Sequence, residues 1–395
     1  MHLEIFPANN GDSFLLQLEN IIILIDGGYV DTYKNYIKPK LVALAKENKK
    51  ISHLIVTHID NDHISGIIKF IEENKKDSII EINNIWHNSF RHINCIDDNL
   101  IFKGKSLSKL VINYTIKEEK NIVEKNISAV QGSTLASLIH KYQYSWNSEF
   151  NQNAISTDNE LEIKISEDIL IKILSPNNDK LKDLKKYWKK ELFKKGFSSD
   201  SDLSDFTEDA FEYILSLEKE RKRLQKKNVS SSTSFNIEKF LHEPFEEDDT
   251  ATNGSSISFI IEFKNIKLLF LADSHPTVII SSLKKHYNQE EFPLQFDLVK
   301  VSHHGSKNNT SAELLNYIDS NKFVFSTNGL THNHPDNETI ARIICRKTKF
   351  TRNLYFNYNL DSIECFKNKS FETKYNYKII ESNNLPLKID FNSDE

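Results

Sequence analysis

Thr57-His58-Ile59-Asp60-Asn61-Asp62-His63-Ile64-Ser65-Gly66 is the stretch whose reading decides the fold. It follows Leu54-Ile55-Val56, a short apolar run of strand character. It leads into Ile64, Ile67, Ile68 and Ile71, whose i, i+3, i+4, i+7 spacing lays one apolar stripe along a helix. Two histidines and two aspartates are thereby gathered at one strand end. Neutral imidazole and carboxylate together suit Zn, Mn or Fe, and a pair of such ions roughly 3.5 to 4 Å apart shares a water and clamps attacking and leaving oxygens. The competing reading is a polar turn whose aspartates cap the helix.

Outward from this stretch, short β-rich runs alternate with helical ones. Phe14-Leu15-Leu16 and Ile21 to Ile25 read as strands, Val42 to Lys50 as a helix, and Ile79 to Trp86 and Ile169 to Leu174 as further strands. This alternation implies a layered, βαβ-like α/β fold. Residues 178–227 differ: Leu181, Leu184, Tyr187, Trp188 and Leu192 recur at helical period among Lys and Glu, which predicts an inserted helical pair. Asn228 to Ser234 and Glu246-Glu247-Asp248-Asp249 read as loop or disordered connection. Strand character returns at Ile257 to Phe263, Lys267 to Leu271, Phe296 to Val301 and Lys322 to Phe325. The expected organisation is a first sheet half over 1–177, a helical insertion and polar linker over 178–250, and a second sheet half over 251–395. No repeat of fixed period is visible.

The 395 residues, 38% of them hydrophobic, suffice for one large domain with an insertion or for two modest ones. A formal net charge of -5 excludes a surface coated with nucleic acid and leaves only regional contact. Cys95, Cys345 and Cys365 lack CxxC spacing, so neither a disulfide framework nor a thiolate zinc site is expected, and a reducing compartment fits. The N-terminal residues show no secretion-signal pattern. The longest apolar runs fall well short of the roughly 20 residues a bilayer span needs. A soluble, cytoplasmic protein is the expectation.

The run from Thr57 to Gly66 resembles the HxHxDH signature of metallo-β-lactamase-fold hydrolases. It takes the HxDxDH form found in the hydrolase domain of ComEC-type DNA-uptake proteins, with Asp60 where most of the superfamily has its second histidine. Other segments resemble the same branch in the same order. Ile23-Leu24-Ile25-Asp26-Gly27-Gly28 is similar to the first motif, whose aspartate supports the ligand loop from behind. Phe270-Leu271-Ala272-Asp273 resembles the strand-terminal TGD element, which would make Asp273 the bridging carboxylate. Val301-Ser302-His303-His304-Gly305-Ser306 resembles the HHGS motif, in which one histidine is a ligand. Alignment on Gly305 favours His304 and alignment on the strand end favours His303. Thr331-His332-Asn333-His334-Pro335-Asp336 resembles the late HP element, which would turn His334 toward the site as proton donor or phosphate ligand, with His332 beside it. One departure stands out. The turn that usually reads GHTxGS is here Ala251-Thr252-Asn253-Gly254-Ser255-Ser256, without a histidine. Asn253 or a hydroxyl such as Ser255 would then contribute to the first metal, or that metal would arrive with substrate; His87 is a distant substitute.

The resemblance implies an α/β fold of αββα sandwich type, with a helical insertion it does not cover. It implies two divalent metal ions, Zn or Mn, held by His58, Asp60, Asp62, His63, Asp273 and His303 or His304. Asp62, Asp273 and His334 would act in catalysis, with Asp26, Asn253, Ser255, Ser306 and His332 behind the metals or against substrate. The expected activity is that of a metallohydrolase, foremost a phosphodiesterase or nuclease acting on DNA or RNA through a metal-activated water. The alternatives are hydrolysis of a small ester, lactone or cyclic nucleotide, and a subunit of a bacterial defence-type complex that uses the fold as an interaction platform. Expected partners are a nucleic acid or nucleotide substrate and a protein bound through the insertion, with no membrane. In the insertion Lys180, Lys182, Lys185, Lys186, Lys189, Lys190, Lys194 and Lys195 lie beside Tyr187 and Trp188. That mixture grips phosphates and stacks bases, or it is a solvated face with its aromatics turned inward, and the second reading is favoured.

Overall fold

A computed structural model describes residues 1–94, 134–194 and 237–391. Cys95, Lys195, the second helix of the expected pair and the loop Asn228 to Ser234 lie outside the described residues.

The first sheet contains β1 (His2–Ile5), β2 (Phe14–Leu18), β3 (Ile21–Ile25), β4 (Ile51–Ile55) and β5 (Ile82–Trp86). Farther along the chain come β6 (Glu162–Lys164), β7 (Ile169–Ser175), β8 (Ser258–Phe263), β9 (Ile266–Phe270), β10 (Leu294–Phe296), β11 (Leu298–Lys300), β12 (Ile318–Ser320), β13 (Lys322–Phe325), β14 (Arg352–Phe356), β15 (Tyr377–Glu381) and β16 (Leu387–Asp390). Six strands form one sheet in the order β16-β1-β2-β3-β4-β5, and eight form the other in the order β15-β14-β13-β11-β9-β8-β7-β6; β10 and β12 make a small parallel pair. The sheets exchange strands relative to the sequence halves. β6 and β7, from the segment ending at 177, lie in the second sheet, and β16 returns to close the first.

Strand side chains alternate between two faces, and here both faces are covered, so the strands read as continuous apolar runs. Leu3, Phe14, Leu16 and Ile23 meet Ile171, Phe259 and Leu268 in one cluster between the sheets. Leu15, Leu24 and Leu54 point the other way, against α1 (Lys38–Lys46), α2 (Asn61–Asp77) and α3 (Leu135–Lys141) through Leu41, Ile67, Phe70 and Leu138. Helix α4 is Asn178–Lys194, α5 Ile237–His242, α6 Pro276–His286 and α7 Asn337–Ile344. The outer face of the second sheet carries Ile260, Leu269 and Phe323 against Ile279, Leu283, Ile340 and Ile344 of α6 and α7. Helices, sheet, sheet and helices give the expected αββα sandwich. The helix expected at Val42 starts earlier, since a helical turn at Val30–Thr32 and a π-helical turn at Tyr33–Ile37 run without a break into α1.

Residues Asn178–Lys194, where a helical period is expected, form α4. Leu181, Leu184 and Trp188 form a fourth cluster with Phe90, Ile93, Ala154 and Ile59, the residue between His58 and Asp60. Trp188 is 0% exposed and meets Phe90 edge-on at 5.2 Å, so its ring is turned inward. In the stretch read as polar linker, α5 forms and Ile237 joins the core of the second sheet. Among the described residues no helix is long and apolar enough to cross a membrane.

Candidate metal centre

β3 runs parallel to β4, and β9 parallel to β11, so their C-terminal ends open on one edge of the sandwich. Asp26 follows β3, Thr57 to His63 follow β4, Asp273 follows β9 and His303-His304 follow β11. Asp60 is the N-cap residue of α2, yet its carboxylate makes no capping bond. The helix-cap reading therefore fails for Asp60. The start of α2 is pressed between two loops. The Gly27 amide donates to His63 O at 2.8 Å, and a Cβ on Gly66 would sit 2.0 Å from Gly27 O. A Cβ on Gly11 would sit 1.9 Å from Asp62 O.

Four imidazoles present Nε2 to one atom. The distances to Asp273 Oδ2 are 3.7 Å from His58, 3.6 Å from His63, 3.8 Å from His303 and 3.6 Å from His304. Asp62 Oδ2 lies 3.6 Å from His304 Nε2, and Asp60 Oδ2 4.0 Å from His58 Nε2. Each ring is oriented through Nδ1. That of His63 lies 2.8 Å from Asp26 Oδ2, that of His58 3.1 Å from Thr57 Oγ1, that of His303 3.0 Å from Asn309 Oδ1, and that of His304 2.9 Å from Ser326 O. A carbonyl or carboxylate behind Nδ1 fixes the tautomer that leaves Nε2 as a lone-pair donor. Both histidines of the HHGS segment bring Nε2 within 3.8 Å of Asp273 Oδ2.

Nε2 of His58, His63 and His304 and Oδ1 of Asp273 are buried without a hydrogen-bond partner. Burying polar atoms so is costly unless something else satisfies them. Ligand atoms of His58, His63 and Asp273 lie within 4.8 Å of one another, as do those of Asp62, His63 and His304 and those of Asp273, His303 and His304. Gaps of this size match donors about 2.0–2.2 Å from a shared ion. The residues fit divalent cations.

Backbone strain helps to aim these groups. His303 and His304 have φ of 45° and 56°, and Asp26 and Ala272 of 54° and 45°. Such left-handed conformations cost non-glycine residues of order 1–3 kcal/mol and persist where the surroundings impose them.

The charges are strongly coupled. Burial disfavours the protonated ring of His304, but Asp273, Asp12 and Asp62 outweigh it and raise its pKa to about 9. The same contest, with Asp273 and Asp26, lifts His63 well above its ordinary value. His58, buried and beside His63, falls to about 4. Burial pushes Asp273 up, but the surrounding imidazoles hold it well below the carboxylate range.

Other expected residues take different places. Asn253 is buried, with Nδ2 donating to Asp248 Oδ2 at 2.6 Å and lying 3.4 Å from His303 Nδ1, so it sits behind His303. The Ser255 hydroxyl donates to Thr252 O, and Ser306 Oγ accepts from the Asn308 amide; both serve their own turns. The His334 ring stands 5.4 Å from that of His303, with Nδ1 3.4 Å from Asp336 Oδ2, and His332, exposed, is 5.9 Å beyond it. His87 stacks on Trp146 and belongs to none of the donor groups found among the described residues.

Sequence reasoning missed Asn10, Asp12, Asp248, Lys300 and Asn309. Asn10 Nδ2 donates to Asp62 Oδ2 at 2.8 Å, and Lys300 pairs with Asp12 in the interior. Asn309 Nδ2 donates to Asp248 Oδ2 at 3.0 Å and to Asp273 O at 3.1 Å. The available signals were a polar Asn9-Asn10-Gly11-Asp12-Ser13 turn between two strands and a lysine inside an apolar strand.

The family model described as the metallo-beta-lactamase superfamily matches residues 7–85. No curated protein matches the chain. Among solved structures, Zn(2+)-bound PqqB from Methylobacterium extorquens is similar with a TM-score of 0.40 at 10% identity, over 99% of this chain and 100% of that one. The metallo hydrolase Igni18 from Ignicoccus hospitalis gives 0.37 at 8% identity, over 99% and 100%. The metallo-beta-lactamase fold protein YhfI from Bacillus subtilis gives 0.35 at 8%, over 98% and 99%.

Proposed function

We propose that the chain is a metal-dependent hydrolase of the metallo-β-lactamase superfamily that cleaves phosphodiester bonds, in DNA or RNA. The hydrolase reading is carried by one observation, the convergence of four Nε2 atoms on Asp273 Oδ2, three of which, those of His58, His63 and His304, are buried without a hydrogen-bond partner. The overlapping groups that share Asp273, His63 and His304 would hold two divalent cations, Zn or Mn. Such cations supply a water of lowered pKa and neutralise charge on phosphoryl oxygens.

The chain's own groups do the rest. Asp26 and Asn309 keep His63 and His303 in their donor tautomers. Burial lowers the pKa of His334 and Asp336, facing Nδ1, works against it; in its protonated form the ring would donate from Nε2 to a phosphoryl oxygen or leaving group. The phosphodiester reading is supported by the combination of the His58–His63 run with His303-His304-Gly305-Ser306, which resembles the ComEC-type branch. A smaller diester, such as a cyclic nucleotide, is favoured by one feature: Trp188 is turned inward and offers its ring to no base of a polymer.

Purified protein with Mn or Zn, assayed on single- and double-stranded DNA and RNA, a cyclic nucleotide and a nitrophenyl phosphodiester, tests both. Metal-dependent cleavage that disappears in Asp62→Ala and Asp273→Ala is expected. No cleavage with either metal, or variants that match wild type, overturns the proposal.

A further inference from the structure

Lys300, the last residue of β11, has a side chain only 1% exposed. An ammonium so deep is unfavourable unless compensated, and Asp12, equally buried, pairs with it. The lysine does more than neutralise that partner. Its Nζ donates to Ala272 O at 3.1 Å, the carbonyl that also accepts the His303 amide at 2.9 Å. The same Nζ lies 3.7 Å from Asp273 Oδ1. The two oxygens of Asp273 therefore see different surroundings. Oδ1 faces the ammonium and has no hydrogen-bond partner, whereas Oδ2 faces the four imidazoles. A carboxylate can bind a single cation with both oxygens or serve two cations with one, and its rotation chooses between these modes.

We propose that Lys300 is a positioning residue: it holds Asp273 Oδ1 toward the interior, so that the carboxylate offers Oδ2 alone, shared by two cations, instead of chelating one cation with both oxygens. Through Ala272 O it also braces the left-handed turn that delivers Asp273. The assignment rests on the metal reading above and adds to it the residue that sets the orientation of Asp273.

Two experiments decide it. The first is a crystal structure of the wild-type protein loaded with Zn, with anomalous maps. Oδ2 bound to both ions and Oδ1 directed at Lys300 is the expected result. Two ions with Oδ1 coordinated, or Lys300 turned away, overturns this assignment alone; absence of any ion at the site overturns the metal reading and this assignment with it. The second uses Mn and the double variant Lys300→Met/Asp12→Asn, which removes both charges of the pair and so avoids stranding Asp12. Wild type should bind two equivalents with an exchange-coupled paramagnetic resonance spectrum. The double variant should lose that coupling and bind the second equivalent at least about tenfold more weakly. A folded double variant with wild-type coupling and affinity would show that Lys300 is only a counter-ion of Asp12. The wild-type crystal arm stands whether or not the variant folds.

Discussion

Asp248 brings Oδ2 to 3.6 Å from Nδ1 of His303 and accepts a 3.0 Å hydrogen bond from Asn309, whose carbonyl in turn receives that same Nδ1. The aspartate lies in the acidic run after the insertion, yet its side chain is buried and strongly acidic. Burial works against its charge, but His303, Asn253 and Asn309 hold its pKa far below the carboxylate range. Asn309 stands to His303 as Asp26 stands to His63, and Asp248 holds Asn309 in place.

Removing this support should weaken cation binding without touching a donor atom. Asp248→Ala is expected to lower Zn or Mn affinity by about 10- to 100-fold, measured by competition with a chelating dye. Asp183→Ala, an exposed aspartate on α4 paired with Lys186, should leave affinity unchanged. Equal affinities for the Asp248 variant and wild type would contradict the support role.

Gly11→Ala places a methyl group where Asp62 O now lies, so the turn or the first residues of α2 must move. The expected penalty is about 1–3 kcal/mol in chemical denaturation, accompanied by weaker metal binding because Asp62 is displaced. A variant as stable and as metal-avid as wild type would refute the close packing.

Trp188→Ala removes the largest ring of the cluster that covers Ile59. Stability should fall by about 3–5 kcal/mol. Hydrogen exchange should rise in residues 57–63 as well as in α4, because the two share one apolar contact. Exchange confined to α4 would show that the insertion and the ligand loop are uncoupled.

The metal-free protein should show opposed pH limits. His304, raised to about 9, stabilises the fold fully below its ordinary 6.5, and that contribution is lost as pH rises through about 9. His58, lowered to about 4, works the other way. As pH falls from 6.5 toward 4, the unfolded chain takes up a proton that the folded chain refuses, and stability declines. Chelator-treated protein should thus have its highest Tm between these limits. Cations must displace the His304 proton, so apparent affinity should climb with pH up to about 9. A Tm that is flat from pH 4 to 10 would contradict these ionisations.

The ligand loop was legible because its evidence is local, an apolar strand, four donors and an amphipathic helix in one continuous run from Leu54 to Ile71. The layered α/β fold followed from strands whose uninterrupted isoleucines and leucines signal burial on both faces. The approach of both His303 and His304 to Asp273 was not legible, since it depends on consecutive left-handed residues that spacing does not encode. Lys300 and Asp248 were missed for a related reason. A lysine in a strand and an aspartate in an acidic run both read as solvated until distant residues enclose them. The strand exchange between sheets is likewise a matter of pairing across sequence distance.

β16 hydrogen-bonds to β1 along its whole length, from His2 opposite Asp390 to Ile5 opposite Leu387. During vectorial synthesis the outer margin of β1 would stay open until residues 387–390 emerge, and an unsatisfied strand margin invites pairing with other molecules. Every donor of the site lies between these two strands in the polypeptide. A nascent chain stalled short of residue 387 would carry the full complement of donors while exposing an adhesive flank.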